Sequence, residues 1–262
     1  MSITLVEPSW ITTAGPDLKV IDTRRHVDYN KNHIPGAISI PVTSFVKSIG
    51  RLKDALDKKK FEELMSNNGI NNDSPVLAYD DQMGVYASRF LWTLDLYGHK
   101  DMYILDRNFS NLNQSKNKIK MKEHEFKKTA YSSNSNKYCV SSLDHILKAI
   151  NKKDSVIIDA GERMDFLNGH IPNAVNLPWR ICVGKDRNFL SKESLKRIFN
   201  EHDISFDKES IVYCKDGMTS SYIYVALRML GHKKVKLYSR GYAEWEDSNQ
   251  QKVAEFQELL NS

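Results

Sequence analysis

Long apolar runs are missing from this chain: no stretch approaches the roughly 18 consecutive apolar residues that a membrane-spanning helix needs. The opening "MSITLVEPSW" also lacks the basic and apolar regions of a secretory leader. A cytoplasmic location, with no membrane partner, is the expectation. Cysteine is scarce as well. Cys139, Cys182 and Cys214 stand far apart, with no CxxC pair and no His/Cys cluster at metal-ligand spacing, so neither a disulfide framework nor a zinc site is indicated. No cofactor is expected. Neither sign of charge dominates: the net charge of +5 is a mild basic excess that suits anionic small molecules as readily as nucleic acid. Its densest stretch, "NKIKMKEHEFKK" at 117–128, contains acids and one aromatic. It reads as a solvated face, and no nucleic-acid partner is expected.

What is present is a soluble, globular composition, 40% hydrophobic and 27% charged, over 262 residues. That length suits two domains of about 130 residues, each able to bury its own core. An internal repeat supports the division. "VIDTRRHVDYNKNHIPGAISIP" at 20–41 returns as "IIDAGERMDFLNGHIPNAVNLP" at 157–178, with the same spacing from Asp22 and Asp159 to the His-Ile-Pro triplets that begin at His33 and His170. "VLAYDDQMGVYASRFLWTLDLYGHKDMYILD" at 76–106 pairs in the same way with "IVYCKDGMTSSYIYVALRMLGHKKVKLYS" from 211.

Each half reads strand, His-Ile-Pro turn, helix, strand, loop, helix, Gly-His, strand. Phe90, Thr93, Leu94 and Tyr97 match Ile223, Ala226, Leu227 and Leu230 at i, i+3, i+4, i+7, which is one buried helix face. The runs "LKVI", "VLAY", "MYIL", "SVIID", "IVY" and "VKLY" have the β-branched and aromatic character of buried strands. Alternation with helices predicts an α/β fold with mostly parallel sheets flanked by helices. The polar, aperiodic "AYSSNSNKY" is the expected linker, which gives domains at 1–130 and 139–262 joined by 131–138.

One loop stands out. "IVYCKDGMTS" ends an apolar strand on Cys214, passes through Lys215, Asp216 and Gly217, and at once begins a helix. A packing cysteine would sit inside the apolar pattern, whereas this position implies exposed thiol chemistry. A cysteine before a helix N-terminus faces unpaired N–H groups and the positive end of the helix dipole, both of which favour a thiolate. Gly217 permits a turn that gathers successive N–H groups into an anion-binding nest. Cys139 and Cys182 carry no such context and are expected to be inert.

His33 and His170 precede Ile-Pro in Gly/Asn-rich turns, where an imidazole commonly bonds the turn backbone. Asp22 and Asp159, at strand ends, are expected to orient loops rather than transfer protons.

Two tandem domains with D-x-R and GHIPGA-type turns, a Cys-x-x-Gly-x-Thr loop in the second half alone, a following "LGH" and a closing "LYSRGYAEW" together resemble the two-domain rhodanese-like sulfurtransferases, over about residues 5–250. The resemblance implies two tandem rhodanese-like domains and sulfur transfer through a cysteine persulfide. The donor would be thiosulfate or 3-mercaptopyruvate. The acceptor would be cyanide or a thiol, with a thioredoxin-like reductant as a further candidate partner.

By the same resemblance Cys214 matches the persulfide-forming residue. Lys215, Asp216, Gly217, Met218 and Thr219 match the loop that wraps it. Aligning Tyr79 with Tyr213 puts Asp80 at the nucleophile's place in the first domain, and a carboxylate cannot carry a sulfane sulfur. That domain is expected to be catalytically inactive, to contribute walls of a cleft, and to tolerate Asp80→Ala. Gly161 stands where a D-x-R arginine is expected, whereas the first half keeps Arg24. Arg163 and Arg180 are the nearby candidates for binding substrate. Ser239, Arg240 and Tyr242 depart from the usual closing motif, while Gly241, Glu244 and Trp245 fit it.

Two other classes compete. A phosphatase or arsenate reductase needs a Cys-x5-Arg loop, because an arginine must clamp the tetrahedral oxyanion; position 220 is serine. A non-enzymatic binding or regulatory module is the reading where such domains lose their cysteine, and here the second half retains it.

Overall fold

The computed structural model describes residues 2–112, 127–250 and 253. Most of the basic stretch at 117–128 therefore lies outside the described residues. The first half runs β1 (Ser2–Val6), β2 (Lys19–Asp22), α1 (His26–Lys31), β3 (Ile38–Ser39), α2 (Val42–Phe45), β4 (Val46–Ile49), β5 (Leu52–Ala55), α3 (Lys58–Asn67), β6 (Val76–Tyr79), α4 (Val85–Leu96), β7 (Asp101–Leu105) and α5 (Phe109–Leu112). The second half runs α6 (Leu143–Ala149), β8 (Ser155–Asp159), α7 (Arg163–Asn168), β9 (Ala174–Asn176), α8 (Lys192–Glu201), β10 (Glu209–Tyr213), α9 (Met218–Met229), β11 (Val235–Leu237) and α10 (Gly241–Asp247). All six apolar runs named above form strands. Among the described residues no helix is long and apolar enough to cross a membrane.

The described residues fall into two compact units, one within 1–47, 55–136 and 184–189, the other within 48–54, 137–183 and 190–262. Each unit therefore includes a short segment that the chain order alone would assign to the other half. The first unit holds a parallel sheet in the order β1-β7-β6-β2-β3, and the second a parallel sheet in the order β11-β10-β8-β9. The four strands of the second sheet reproduce four of the first. Val140 bridges Leu237 where β1 pairs with β7. All four residues of β6 are buried, as are the last four of β10, so continuous apolar runs rather than alternation are the pattern of these central strands.

The segment expected as a linker is bound along the first unit. Tyr131 N–H donates to Ser66 Oγ at 3.0 Å, Ser133 N–H to Glu62 at 2.8 Å, and Asn134 N–H to the Tyr97 carbonyl at 3.1 Å. Backbone pairing of this kind holds an aperiodic, polar stretch in place where no hydrophobic pattern announces it.

The duplication extends to side chains. In the first unit Tyr79 donates its hydroxyl proton to Asp22 at 2.6 Å and accepts from Ile34 N–H at 3.1 Å. In the second, Tyr213 bonds Asp159 and accepts from Ile171 N–H at 3.1 Å. The tyrosine fastens the His-Ile-Pro turn to the centre of the sheet. His33 and His170 bond the backbone carbonyls of Tyr29 and Phe166 four residues earlier and stack on those rings, at 3.9 and 3.7 Å between centroids. Their role in the turns is structural, as the sequence implies.

Candidate active site

β10, an inner strand, delivers Cys214 to the C-terminal end of the sheet, and Gly217, at φ 80°, reverses the chain into α9. A residue with a Cβ is strained at that angle, so glycine is what allows so short a strand-to-helix turn. Ser221, one turn into α9, returns its hydroxyl to the Gly217 carbonyl at 2.6 Å and holds the turn closed. Gly241, at φ 60°, is needed for a second reason: a Cβ there would lie 2.1 Å from the Cys214 carbonyl oxygen. That close approach lets Tyr242 and Ala243 N–H, at the start of α10, bond the Cys214 and Lys215 carbonyls at 2.8 and 2.9 Å. The loop is thus held from both sides before any ligand arrives.

Cys214 is 3% exposed and lines a cavity rather than the open surface, which corrects the expectation of an exposed thiol. Ser220 donates its hydroxyl proton to Cys214 Sγ at 3.3 Å. The cysteine thiol in turn lies 4.0 Å from Asp216 Oδ1, which also accepts Met218 N–H at 3.3 Å. A carboxylate this near opposes negative charge on the sulfur. It is offset by Lys53, whose ammonium donates to Asp216 Oδ2 at 2.5 Å. Lys53 comes from the β4/β5 arm, as do Arg51, which binds Glu246 at 2.9 Å, and Asp54, which accepts from Ser239 and Arg240 at 3.0 and 2.8 Å. Nothing in the local sequence marks these partners, which stand 163 or more positions from the residues they bind.

The cavity has a volume of about 490 Å³, within the range of small-ligand sites, and all its lining residues belong to the second unit. Of the residues singled out by sequence, Cys214, Lys215, Asp216, Thr219 and Arg180 line it. Gly217 and Met218 do not; they shape the turn and begin α9. Arg163 is also absent from the wall, and its guanidinium sits 6.0 Å from the Phe166 ring. Arg180 is exposed and paired with Glu162 at 2.8 Å. Trp179, Tyr242 and Glu246 line the cavity too, and only the unusual closing motif offered a hint of Tyr242. Cys139 and Cys182 are buried elsewhere, and burial pushes the Cys182 thiol up to about 12.

The equivalent loop of the first unit is built around Asp80. Its carboxylate is fully buried and accepts three backbone N–H groups, from Gln82 and Gly84 at 2.8 Å and Ala87 at 2.9 Å. Gly84, at φ 89°, turns this loop as Gly217 turns the other. Asp80 therefore anchors its loop through three hydrogen bonds, which bears against the expectation that Asp80→Ala is tolerated. Among the described residues no cluster of His, Cys, Asp and Glu could hold a metal ion.

The rhodanese-like domain family matches the chain twice, over residues 10–115 and 142–248. The chain belongs to that family. A protein of Saccharopolyspora erythraea named as a thiosulfate sulfurtransferase is 30% identical over 235 residues, which cover 83% of each chain. The sulfur carrier protein TtuD of Thermus thermophilus is 25% identical and is covered over 93% of its length, against 92% of this chain. Among solved structures, the 3-mercaptopyruvate sulfurtransferase SseA of Escherichia coli superposes with a TM-score of 0.81 at 25% identity, over 92% of this chain and 99% of that one. The tandem rhodanese-like architecture that the resemblance implied is the one observed.

Proposed function

We propose that this sulfurtransferase carries the transferred sulfur on Cys214 and takes it from thiosulfate. The observation that supports the reading most is the placement of Cys214 in the lining of a small-molecule cavity, in a strand-to-helix turn, with the Ser220 hydroxyl directed at its sulfur. In the first half-reaction the Cys214 thiolate attacks the sulfane sulfur of thiosulfate. The new S–S bond forms as the old one breaks, and sulfite leaves with the bonding pair. In the second, a thiol or cyanide removes the outer sulfur and Cys214 recovers its electrons, a two-step covalent scheme. Lys215 and Arg180 are the cations on the cavity wall for the anionic donor, and Lys53 offsets the Asp216 carboxylate beside the sulfur.

A thioredoxin-like reductant as acceptor and a cytoplasmic location belong to the same proposal, as does a catalytically silent first domain. The superposition on a 3-mercaptopyruvate sulfurtransferase favours mercaptopyruvate as the second donor to test. Intact mass after each donor decides between them. A gain of one sulfur with thiosulfate, lost in Cys214→Ser, supports the reading; no gain with thiosulfate overturns the donor assignment, and a gain retained in Cys214→Ser overturns the residue assignment.

A further inference from the structure

The two repeats align without gaps from Asp22 to Ile34 and from Asp159 to Ile171, so Arg24 corresponds to Gly161 and Asn32 to Gly169. Phe109 N–H bonds the Asp80 carbonyl as Tyr242 N–H bonds that of Cys214, which equates Phe109 with Tyr242. In the first unit these positions form a closed guanidinium site. Arg24, 3% exposed, gives Nε to both Asp22 oxygens at 3.0 and 3.1 Å and Nη2 to Asp22 Oδ2 and the Asn32 carbonyl, each at 2.6 Å. Its guanidinium carbon lies 3.7 Å from the centre of the Phe109 ring. Carboxylate, carbonyl and aromatic face are together a complete recognition set for a planar cation.

In the second unit the set is present and the arginine is not. Asp159, Gly169 and Tyr242 all line the cavity that holds Cys214. Asn32 and Gly169 share extended backbone angles, φ −166° and ψ 145° against φ 167° and ψ 131°, so the two carbonyls are directed alike. Asp159 is 6% exposed and accepts Gly161 N–H at 2.7 Å, and among the described residues no arginine or lysine pairs with it. Burial raises its carboxyl to about 6, the cost that a bound cation relieves. The buried Tyr242 hydroxyl finds no hydrogen-bond partner among the described residues.

We propose that Asp159, Gly169 and Tyr242 form a guanidinium-binding subsite beside Cys214, and that the sulfur acceptor is a small thiol carrying a guanidinium group. The inference rests on the sulfur-transfer reading and names the acceptor class. Asp159 pairs in register with Tyr213, roughly 4.8 Å away across the sheet, and Cys214 follows Tyr213 directly, so a short spacer joins the two ends. With the cation seated, the acceptor thiolate attacks the outer sulfur of the Cys214 persulfide. An S–S bond forms to the acceptor and the bond to Cys214 breaks, the electron pair returning to Cys214 and the persulfide proton remaining on the transferred sulfur. The donor anion and the acceptor cation thus use different residues of one cavity, Lys215 and Arg180 for the first and Asp159, Gly169 and Tyr242 for the second.

The test compares removal of sulfur from persulfidated enzyme by 2-mercaptoethylguanidine and by 2-mercaptoethanol, in the parent, in Gly161→Arg and in Asp159→Asn. Differences in intrinsic thiol reactivity cancel when the ratio of the two rate constants is compared between proteins. A Cβ at Gly161 meets Asp159 Oδ1 at 2.9 Å, a side-chain atom able to give way, so the arginine can supply its own guanidinium to the subsite. The expected result is that the preference for the cationic thiol falls by about tenfold or more in both variants, the scale of a lost charge-assisted pair. A ratio unchanged within about twofold in Asp159→Asn overturns the proposal even where Gly161→Arg fails to fold. Calorimetry with ethylguanidinium gives a readout free of sulfur chemistry: binding to the parent and none to Asp159→Asn supports the subsite, and no binding to the parent overturns it. Failure to form any Cys214 persulfide would instead break the sulfur-transfer reading and leave the calorimetric result standing.

Discussion

The loops after β6 and β10 leave the sheet from equivalent tyrosines and end on glycines at φ 89° and φ 80°, yet they hold different groups. In the first, the Asp80 carboxylate takes three backbone N–H groups and closes the loop on itself. In the second, a shorter loop presents Cys214, whose sulfur meets a hydroxyl and a cavity. The same contrast holds on the other side of the strand, where Arg24 fills a guanidinium site that Gly161 leaves to the cavity. At these two positions the first repeat holds a carboxylate and a guanidinium, and the second holds a thiol and a glycine. Two copies of one fold can thus differ in whether side chains fill such positions or leave them to a cavity.

The largest expected effect attacks the sulfur end of that contrast. Cys214→Ala should lower sulfur transfer by more than about 10³-fold, the usual cost of deleting a covalent nucleophile, while Cys139→Ala and Cys182→Ala keep rates within about twofold of the parent. Steady-state turnover with thiosulfate and cyanide measures it. Appreciable activity in Cys214→Ala would sink the assignment and with it the asymmetry between the loops.

Next comes the cation end, where the same substitution should act with opposite sign in the two units. Asp22→Asn leaves the Arg24 guanidinium buried without its carboxylate and should destabilise by about 3–5 kcal/mol. Asp159→Asn removes a carboxylate that has no such partner. Because burial raises the folded carboxyl to about 6, above an unfolded value near 4, the folded state holds its proton more tightly. Stability from this group is therefore complete below about pH 4 and is lost as pH rises through about 6. Asp159→Asn should gain up to about 3 kcal/mol at pH 8 and close to nothing at pH 4. Urea unfolding at the two pH values checks both variants, and a gain of equal size at both would show that Asp159 is not the group that titrates.

Asp80→Ala should cost about 2–4 kcal/mol, because three N–H groups lose their acceptor in a buried loop. Asp80→Asn, which keeps an acceptor oxygen, should cost about half as much. Equal stability of parent and Asp80→Ala in thermal unfolding would return Asp80 to the indifferent position that the sequence implied.

These cases also mark what could be read in advance. The repeat, the six core strands and the Cys214 turn were legible because duplication writes the same apolar runs and turn residues twice at a constant offset. The absence of an arginine at Gly161 was legible for the same reason. Its consequence was not, since it depends on Tyr242 and Gly169 facing one cavity with Asp159, and sequence spacing carries no information about facing. Lys53 and Ser220 were missed on different grounds. In the sequence Ser220 stands out only as the residue that is not arginine, while Lys53 lies 163 residues from Asp216 on a polar arm whose charges look like any solvated surface. The hydrogen bonds that hold 131–136 to the first unit could not be read in advance, because backbone pairing leaves no mark on composition.

The smallest expected effect sharpens the electrostatics of the Cys214 loop. From sequence, Lys215 and Asp216 offset each other beside the sulfur. In the structure Asp216 is paired with Lys53, while Lys215 lines the cavity, so on the proposed reading Lys215 is the cation that acts on the donor. Lys53 and Asp216 are 38% and 27% exposed, and solvent screens a pair so placed, so the effect is modest. Lys53→Met should lower kcat/KM for thiosulfate by roughly three- to tenfold, because Asp216 then opposes both the thiolate and the incoming dianion. The double variant Lys53→Met with Asp216→Asn should recover most of the loss, since the carboxylate and not the absent ammonium does the damage. Raising ionic strength should narrow the gap between parent and Lys53→Met. A single variant that matches the parent at low salt, or a double variant no better than the single one, would mean that the β4/β5 arm only holds the loop in place and leaves its charge unaltered.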